Sequence, residues 1–508
     1  MNNSPAANPE HFRRVQAGAR VELEHGESEL TFRDPAGQLQ LLDTCALRRI
    51  HPAAVEQTLA FLASPLRAAL EKSGFLIPTE IIEPEVNPSD DSGGASELWL
   101  RHPRIDPISY PWEWTTGQWC AAAELTLQIA VQAIDAGWTL KDATPLNILF
   151  VSARPILVDV LSFERRDPHS SVWLAYGQFV RTFLLPLVAE KFLSWPLQAT
   201  IFARDGYEPS EIYRALQPWQ RLYPDLLDVV TLATVLERST TKKKPPGRSP
   251  SASKTDPALA KHILHKRIAR LGKQIRRAAR DEKSSRWSEY QTSASHYRPE
   301  DTEGKQEFIR SALERCRPER VLDIGANTGT YSLMAAEAGA KVVALDSDAA
   351  AIESLWLAAW AQGQAVTALV ANIARPTPAA GWRNREQLSL LDRLTGKFDL
   401  VLMLAVIHHL ILREQLPLAH IGDLCASLTR RWLVLEWVPP SDSMYQEWLR
   451  GREELYGHFS EDDLTQAFAP WFHVVARTVL GNGRVLFLFE RNAGELEIGG
   501  PHSESSAA

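Results

Sequence analysis

The chain has 508 residues, 45% of them hydrophobic and 23% charged, an ordinary balance for a soluble globular protein. That length predicts two or three domains at ~150 residues each, and the composition excludes collagen-like, coiled-coil and wholly disordered chains. A formal net charge of −7 argues against a globally basic nucleic-acid binder. Cys45, Cys120, Cys316 and Cys425 are scattered without a CxxC pair. The pattern supports neither a zinc ribbon nor a disulfide scaffold and suits a reducing cytoplasm. Met1–Arg14 carries no apolar core, so no secretory signal is expected. The longest apolar stretch, Leu400–Leu412, is too short to span a membrane and is broken by His408 and His409. The expected location is therefore the cytoplasm.

In chain order, residues 15–237 form the first region. Trp99, Trp112, Trp114, Trp119 and Trp138 crowd part of it. Clustered indoles stack on a sugar, a base or an arginine, or simply fill a core. The run Trp138–Phe150 is followed by Pro155–Val160, which places Asp142, Asn147 and Asp159 around short apolar strands. This stretch resembles the catalytic and metal-binding loops of protein kinase-like and aminoglycoside phosphotransferase-like folds. The resemblance implies an α+β domain with Asp142 as base and Asn147 and Asp159 as magnesium ligands. The residues before Asp142 are Leu140-Lys141, and those after Asp159 are Val160-Leu161, not Phe-Gly. No Gly-rich phosphate loop precedes Trp138. The expectation is a kinase-like lobe used for binding or presenting a substrate. A phosphotransferase or bifunctional protein is the alternative, and a catalytically silent two-domain scaffold is another.

Residues 238–285 form a linker. Between Thr241 and Arg280 thirteen Lys/Arg stand against one acid, Asp256. Lys242–Pro257 is rich in Pro, Ser, Gly and Lys and reads as a disordered connection. From Pro257 to Arg280, Leu264, Ile268, Leu271 and Ile275 share one helical face. This predicts an amphipathic basic helix, either docked on a domain or facing an anionic partner.

Residues 286–492 alternate apolar strands with helical patterns, which implies a parallel doubly wound, Rossmann-like α/β sheet. Strands are predicted at Val321–Ile324, Val342–Leu345, Val366–Val370, Phe398–Leu404 and Trp432–Trp437, with a helix over Thr330–Ala338. Phe472–Leu480, the Gly481-Asn482-Gly483 turn and Val485–Phe489 predict a terminal antiparallel hairpin. Residues 493–508 read as a frayed tail.

Gly325 and Gly329 let a ligand approach the backbone at the carboxyl end of the first of these strands. Asp346 closes the second strand, where a carboxylate accepts both hydroxyl protons of a ribose. The loop Asp323-Ile-Gly-Ala-Asn-Thr-Gly329 lacks GxGxxG and carries no basic residue, which disfavours a dinucleotide. With Val321–Ser332 as its first motif, the region resembles class I S-adenosylmethionine-dependent methyltransferases. The resemblance implies S-adenosylmethionine as cofactor, with Asp323, Gly325 and Gly329 along its methionine part and Asp346 on its ribose. Asn327 stands where that family carries a middle glycine. Asn372 stands near the adenine amine, where the family usually has Asp.

The fourth strand runs into Ala405–Leu410, so His408 and His409 lie on its carboxyl side. On an extended chain they point to opposite faces, so one reaches a substrate as base or orienting group and the other packs. Adjacent histidines are a poor chelating pair, and no metal is inferred. Glu436 and Asp442, after the fifth strand, are further pocket candidates. Trp382, in Gly381-Trp-Arg-Asn-Arg-Glu386, marks a candidate substrate-side loop or a loop fixed by a Trp plug. Taken whole, the chain resembles the bacterial NoeA-like nodulation family. That match rests on Tyr110–Trp114, Leu140–Ala143, Ser285–Tyr290, Asp323–Gly329, Gly381–Glu386 and Ile407–Leu410. It implies a methyltransferase whose acceptor is unassigned, with a small molecule or sugar favoured over nucleic acid.

Overall fold

A computed structural model describes residues 34–82, 98–240, 255–279 and 299–493. Most of the lysine-rich linker, the Ser285–Tyr290 motif and the tail from Gly494 lie outside the described residues. The chain divides into two compact units. One gathers residues 1–292, 327–329 and 344–393, and the other residues 293–326, 330–343 and 394–508. This differs from a division at the basic linker: the segment Ala344–Arg393 packs with the N-terminal region.

In the first unit, β1 (Gly37–Leu41), β2 (Cys45–Ile50), β3 (Glu80–Ile82) and β4 (Leu98–Pro103) form a sheet of order β1-β2-β4-β3. Helices α1 (Pro52–Leu62) and α2 (Pro65–Lys72) follow β2, each opened by a proline in its first turn. Proline fits there because the N–H it lacks would be unsatisfied anyway. Helix α3 (Thr116–Asp135) starts with a reciprocal capping box between Thr115 and Gln118. Two small antiparallel pairs follow: β5 (Trp138–Leu140) with β8 (Phe163–Arg165), and β6 (Ile148–Val151) with β7 (Arg154–Leu157). Trp112, Trp114, Trp119 and Trp138 are buried, so these indoles are core. Trp119 donates its ring N–H to the Phe183 carbonyl at 3.0 Å.

The basic helix exists as α4 (Pro257–Ala278). Leu264, Ile268, Leu271 and Ile275 are buried on it, and α3 is among the helices it packs on. Four of its seven Lys/Arg side chains are paired with acids inside the same unit. Lys261 pairs with Asp135 at 2.7 Å, Arg270 with Asp228 at 2.8 Å, Arg276 with Glu124 at 2.9 Å and Arg277 with Asp225 at 2.6 Å. These pairs are exposed and each contributes little; burial of the apolar face holds the helix down.

The larger sheet adds β9 (Arg320–Ile324), β10 (Lys341–Asp346), β11 (Val366–Val370), β12 (Phe398–Met403), β13 (Thr429–Trp437), β14 (Phe472–Val479) and β15 (Val485–Arg491), in order β11-β10-β9-β12-β13-β15-β14. β12 is parallel to β9 and β13, and the final hairpin adds antiparallel strands through β13–β15 and β15–β14. The helices that matter for the site are α5 (Pro299–Cys316), α6 (Thr330–Glu337), α7 (Ala349–Gln362), α8 (Ile407–Leu412) and α9 (Ser443–Leu449). Among the described residues no helix is long and apolar enough to cross a membrane.

Gly272 lies within α4, where a Cβ would meet Arg276 at 3.5 Å and Leu127 at 3.7 Å, ordinary contact distances. Gly272→Ala should therefore stabilise the protein by about 0.5–1 kcal/mol, whereas Leu271→Ala should cost about 2–5 kcal/mol. Thermal melts of the two variants would move in opposite directions; a loss in both would refute the packing assigned to this face.

Candidate functional site

The loop after β9 is shaped by residues with positive φ. Gly325 (φ 75°), Asn327 (φ 50°) and Gly329 (φ 83°) all adopt the left-handed region. Side chains at the glycines have no room: a Cβ at Gly325 would overlap Val406 Cγ2, and one at Gly329 would overlap Leu355. Asparagine is the residue after glycine that best tolerates this conformation, which explains its place here. Its side-chain oxygen accepts the Thr328 N–H at 2.7 Å.

Asp346 ties this loop to the end of β10. One carboxylate oxygen accepts the Asn327 N–H at 2.9 Å, and the other accepts the Asp348 N–H at 2.9 Å. Burial pushes its pKa up, opposed by those backbone bonds. Asp348 then caps α7, accepting the Ala350 N–H at 2.9 Å. Asn372 uses its side-chain oxygen in the turn after β11, accepting the Ala374 N–H at 2.9 Å. Asp323 is buried on β9 and accepts the Ser332 hydroxyl at 2.6 Å, joining the strand to α6.

His408 and His409 are not on extended backbone. The Val406 carbonyl accepts the His409 N–H at 2.9 Å and the Leu410 N–H at 3.2 Å, and α8 begins there. Helical turning brings the two rings to 4.1 Å, tilted at 38°, rather than to opposite faces. Ala405, just before them, holds φ 55°, an uncommon conformation for a residue with a side chain. His409 meets Trp448 edge-on at 5.8 Å.

Glu436 and Asp442 belong to a buried ion network that the sequence pattern does not reveal. Lys305 of α5 donates to Glu436 at 2.6 Å, Arg484 Nη1 donates to Glu436 at 3.3 Å, and Arg484 Nε donates to Asp442 at 2.8 Å. Burial raises the pKa of Asp442, but Arg484 and the N–H groups of Met444 and Tyr445 outweigh it and hold the carboxyl low. Lys305 also lies 4.9 Å from the Tyr331 ring centre. The only sequence sign of Arg484 is its position directly after the Gly-Asn-Gly turn.

Trp382 is 60% exposed, so it is not a plug. The loop is closed instead by Glu386, whose carboxylate pairs with Arg204 and whose N–H donates to the Ala380 carbonyl at 3.1 Å.

In the N-terminal unit, Asn147 and Asp159 come together. Arg48 of β2 donates to Asp159 at 2.8 Å, the Leu161 N–H donates to it at 3.1 Å, and Asn147 donates to it at 3.5 Å. Asn147 also donates to Ser162 at 3.1 Å. Asp142 accepts from Gln178 at 3.4 Å, and its pKa is raised by burial and by the nearby charge of Asp159.

Residues 263–470 match the model of a methyltransferase domain. The match places a methyltransferase domain in the C-terminal part of the chain. Over 467 residues the chain is 27% identical to nodulation protein NoeA of Rhizobium meliloti (strain 1021), covering 91% of this chain and 95% of that protein. Among solved structures it is similar to the N-methyltransferase NodS of Bradyrhizobium japonicum WM9, at 15% identity and TM-score 0.29, over 38% of this chain and 88% of that one. It is also similar to magnesium protoporphyrin IX methyltransferase of Synechocystis PCC 6803, at 18% identity and TM-score 0.28, over 43% and 92%.

The two imidazoles are held neutral. Burial drives the His408 pKa well below its ordinary value, helped by His409 and Arg484. Burial, Arg413 and Arg484 bring that of His409 to about 4. A histidine depressed in the folded state takes up a proton at higher pH when unfolded. Its contribution to stability is therefore full above pH 6.5 and is lost as pH falls toward about 4. Each such group costs up to about 1.4 kcal/mol per pH unit in that window. Melting temperatures between pH 7 and 4.5 should fall less steeply in His409→Gln than in the wild type; parallel curves would refute the assignment.

Proposed function

We propose that this chain transfers the methyl group of S-adenosylmethionine to a small-molecule or sugar acceptor. Within that reading the N-terminal region is a kinase-like lobe that helps to bind or present the acceptor. The observation that carries the proposal is the Asp346 carboxylate anchored beside the Gly325–Gly329 loop, whose left-handed glycines are packed too closely to carry side chains. An ionised carboxylate has about four lone-pair sites, so Asp346 keeps acceptor capacity for a ribose hydroxyl beyond its backbone bonds.

S-adenosylmethionine supplies an electrophilic methyl group on a sulfonium. The chain's contribution is in-line positioning of the acceptor. In this reading Gly325 and Gly329 flank the methionine part, Asp323 fixes the loop through Ser332, and Asn372 faces the adenine. His408 and His409 orient the acceptor as neutral imidazoles, since burial lowers both pKa values, that of His409 to about 4, and leaves them weak bases at pH 7. Glu436 and Asp442 act through Arg484 as the wall of the same end of the sheet. Exposed Trp382 offers an aromatic face on which a sugar stacks.

Titration calorimetry with S-adenosylmethionine tests the cofactor site. Asp346→Ala should abolish binding, and Asp346→Asn should weaken it by roughly tenfold or more, as expected for a hydrogen bond to a charged group. Unchanged affinity in Asp346→Ala would overturn the assignment.

A second reading is favoured by the convergence of Asn147 and Asp159, with Asp142 close by: a phosphotransferase site. It requires magnesium-dependent ATP binding that Asp159→Ala removes. A flat titration with ATP and magnesium would leave the lobe its presenting role alone.

A further inference from the structure

We propose that the segment Tyr110–Gln118 is a positioning element for the adenosine side of the cofactor site. The inference rests on the reading of Asp346 as the ribose ligand. Asn327, Gly329, Asp346 and Asn372 all belong to the compact unit that contains the N-terminal region. Within that unit, α7 directly follows Asp346 and Asp348, and β11 directly precedes Asn372. Both elements are gripped by N-terminal residues.

The grip is specific. Gln118 splits its amide between two tasks. Its oxygen accepts the Thr115 N–H at 2.8 Å, and its nitrogen donates to the Ala368 carbonyl of β11 at 2.9 Å. The Gly117 N–H, at the N-terminus of α3, donates to Glu353 of α7 at 3.1 Å. That carboxylate also meets the positive end of the helix dipole. A side chain at Gly117 has no room: its Cβ would fall 2.7 Å from Glu353 Cδ and 2.8 Å from the Trp356 ring. Further along α7, Trp356 donates its ring N–H to the Ala153 carbonyl at 2.8 Å.

The same segment holds the chain beyond β11. Glu113 is fully buried and pairs with Arg393, whose Nη1 donates to it at 3.0 Å. The Tyr110 hydroxyl accepts the Leu388 N–H at 2.9 Å, and the Arg393 guanidinium lies 4.7 Å from the Tyr110 ring centre. A buried pair of this kind is worth little net stability but fixes geometry, because an unpaired charge there is costly. Tyr110-Pro-Trp-Glu-Trp114 thus acts on the far side of the segment whose near side carries Asp346 and Asn372.

Gln118→Glu separates positioning from folding. It is isosteric, keeps the acceptor for Thr115, and replaces the donor to Ala368 by an oxygen. Gly117→Ala is an independent wedge between α3 and α7. With S-adenosylhomocysteine as the probe, each should bind roughly three- to tenfold more weakly than the full-length wild type, with unchanged circular dichroism. Coupling is reciprocal, so the same ligand should slow amide exchange over Thr116–Leu127 in the wild type. Wild-type affinity in a folded Gln118→Glu would overturn the inference and leave the cofactor site intact. Should neither variant fold, unaltered exchange at Thr116–Leu127 on ligand binding would overturn it as well. Absence of binding by the wild type itself would instead bring down the cofactor reading, and this inference with it.

Discussion

The Asp346 carboxylate is the constraint around which the ligand loop is organised. A loop with three left-handed residues has few hydrogen bonds of its own to offer. Here one oxygen of Asp346 takes the Asn327 N–H in the middle of the loop, and the other takes the Asp348 N–H at the start of the next helix. The same side chain thus fixes the loop and the entry to α7. The loop residues have to accept that geometry, which is why glycine stands at two of the three positions and asparagine at the third. The acid cannot be treated as a detachable ligand: changing it removes an acceptor and releases a backbone at once.

The strands of the C-terminal sheet were legible because buried parallel strands read as continuous apolar runs. Val366–Val370 matches β11 to the residue, and the Gly481-Asn482-Gly483 turn locates the hairpin. The basic helix was legible from its apolar period. The local fold at His408 and His409 was not. Ile407–Leu412 is a short apolar run, and periodicity alone does not separate a buried strand from one and a half turns of helix. Long-range polar contacts leave no pattern at all. Nothing in the sequence around Lys305 or Arg484 announces a shared partner in Glu436. Nothing around Gly117 announces Glu353, although the residues lie 236 positions apart and 3.1 Å from one another. Trp382 was ambiguous because an indole serves a core or a surface equally well, and only its measured exposure decides.

Charge in this protein is answered mostly by the protein itself. Helix α4 carries enough cations to look like a binding surface in isolation. Four of them meet Asp135, Asp228, Glu124 and Asp225. At the end of β13 the logic is the same but buried. Glu436 is fully enclosed, and Lys305 and Arg484 both reach it. Arg484 in turn holds Asp442 and opposes protonation of both histidines. One guanidinium therefore binds two carboxylates and adds to the burial that keeps two imidazoles neutral. Glu436, bound on both oxygens by cations, ties α5 to the turn after β14.

The same principle governs the carboxylate cluster around Asp159 in the N-terminal region. Burial raises the pKa of Asp142, and the nearby charge of Asp159 adds to the shift. Two carboxylates in such proximity need a cation, and Arg48 supplies it at 2.8 Å from Asp159. Asn147 and Ser162 then complete the shell around that carboxylate. A divalent ion at Asp159 would have to compete with a guanidinium already seated on the sheet. The cluster is thus held in place by side chains of its own region.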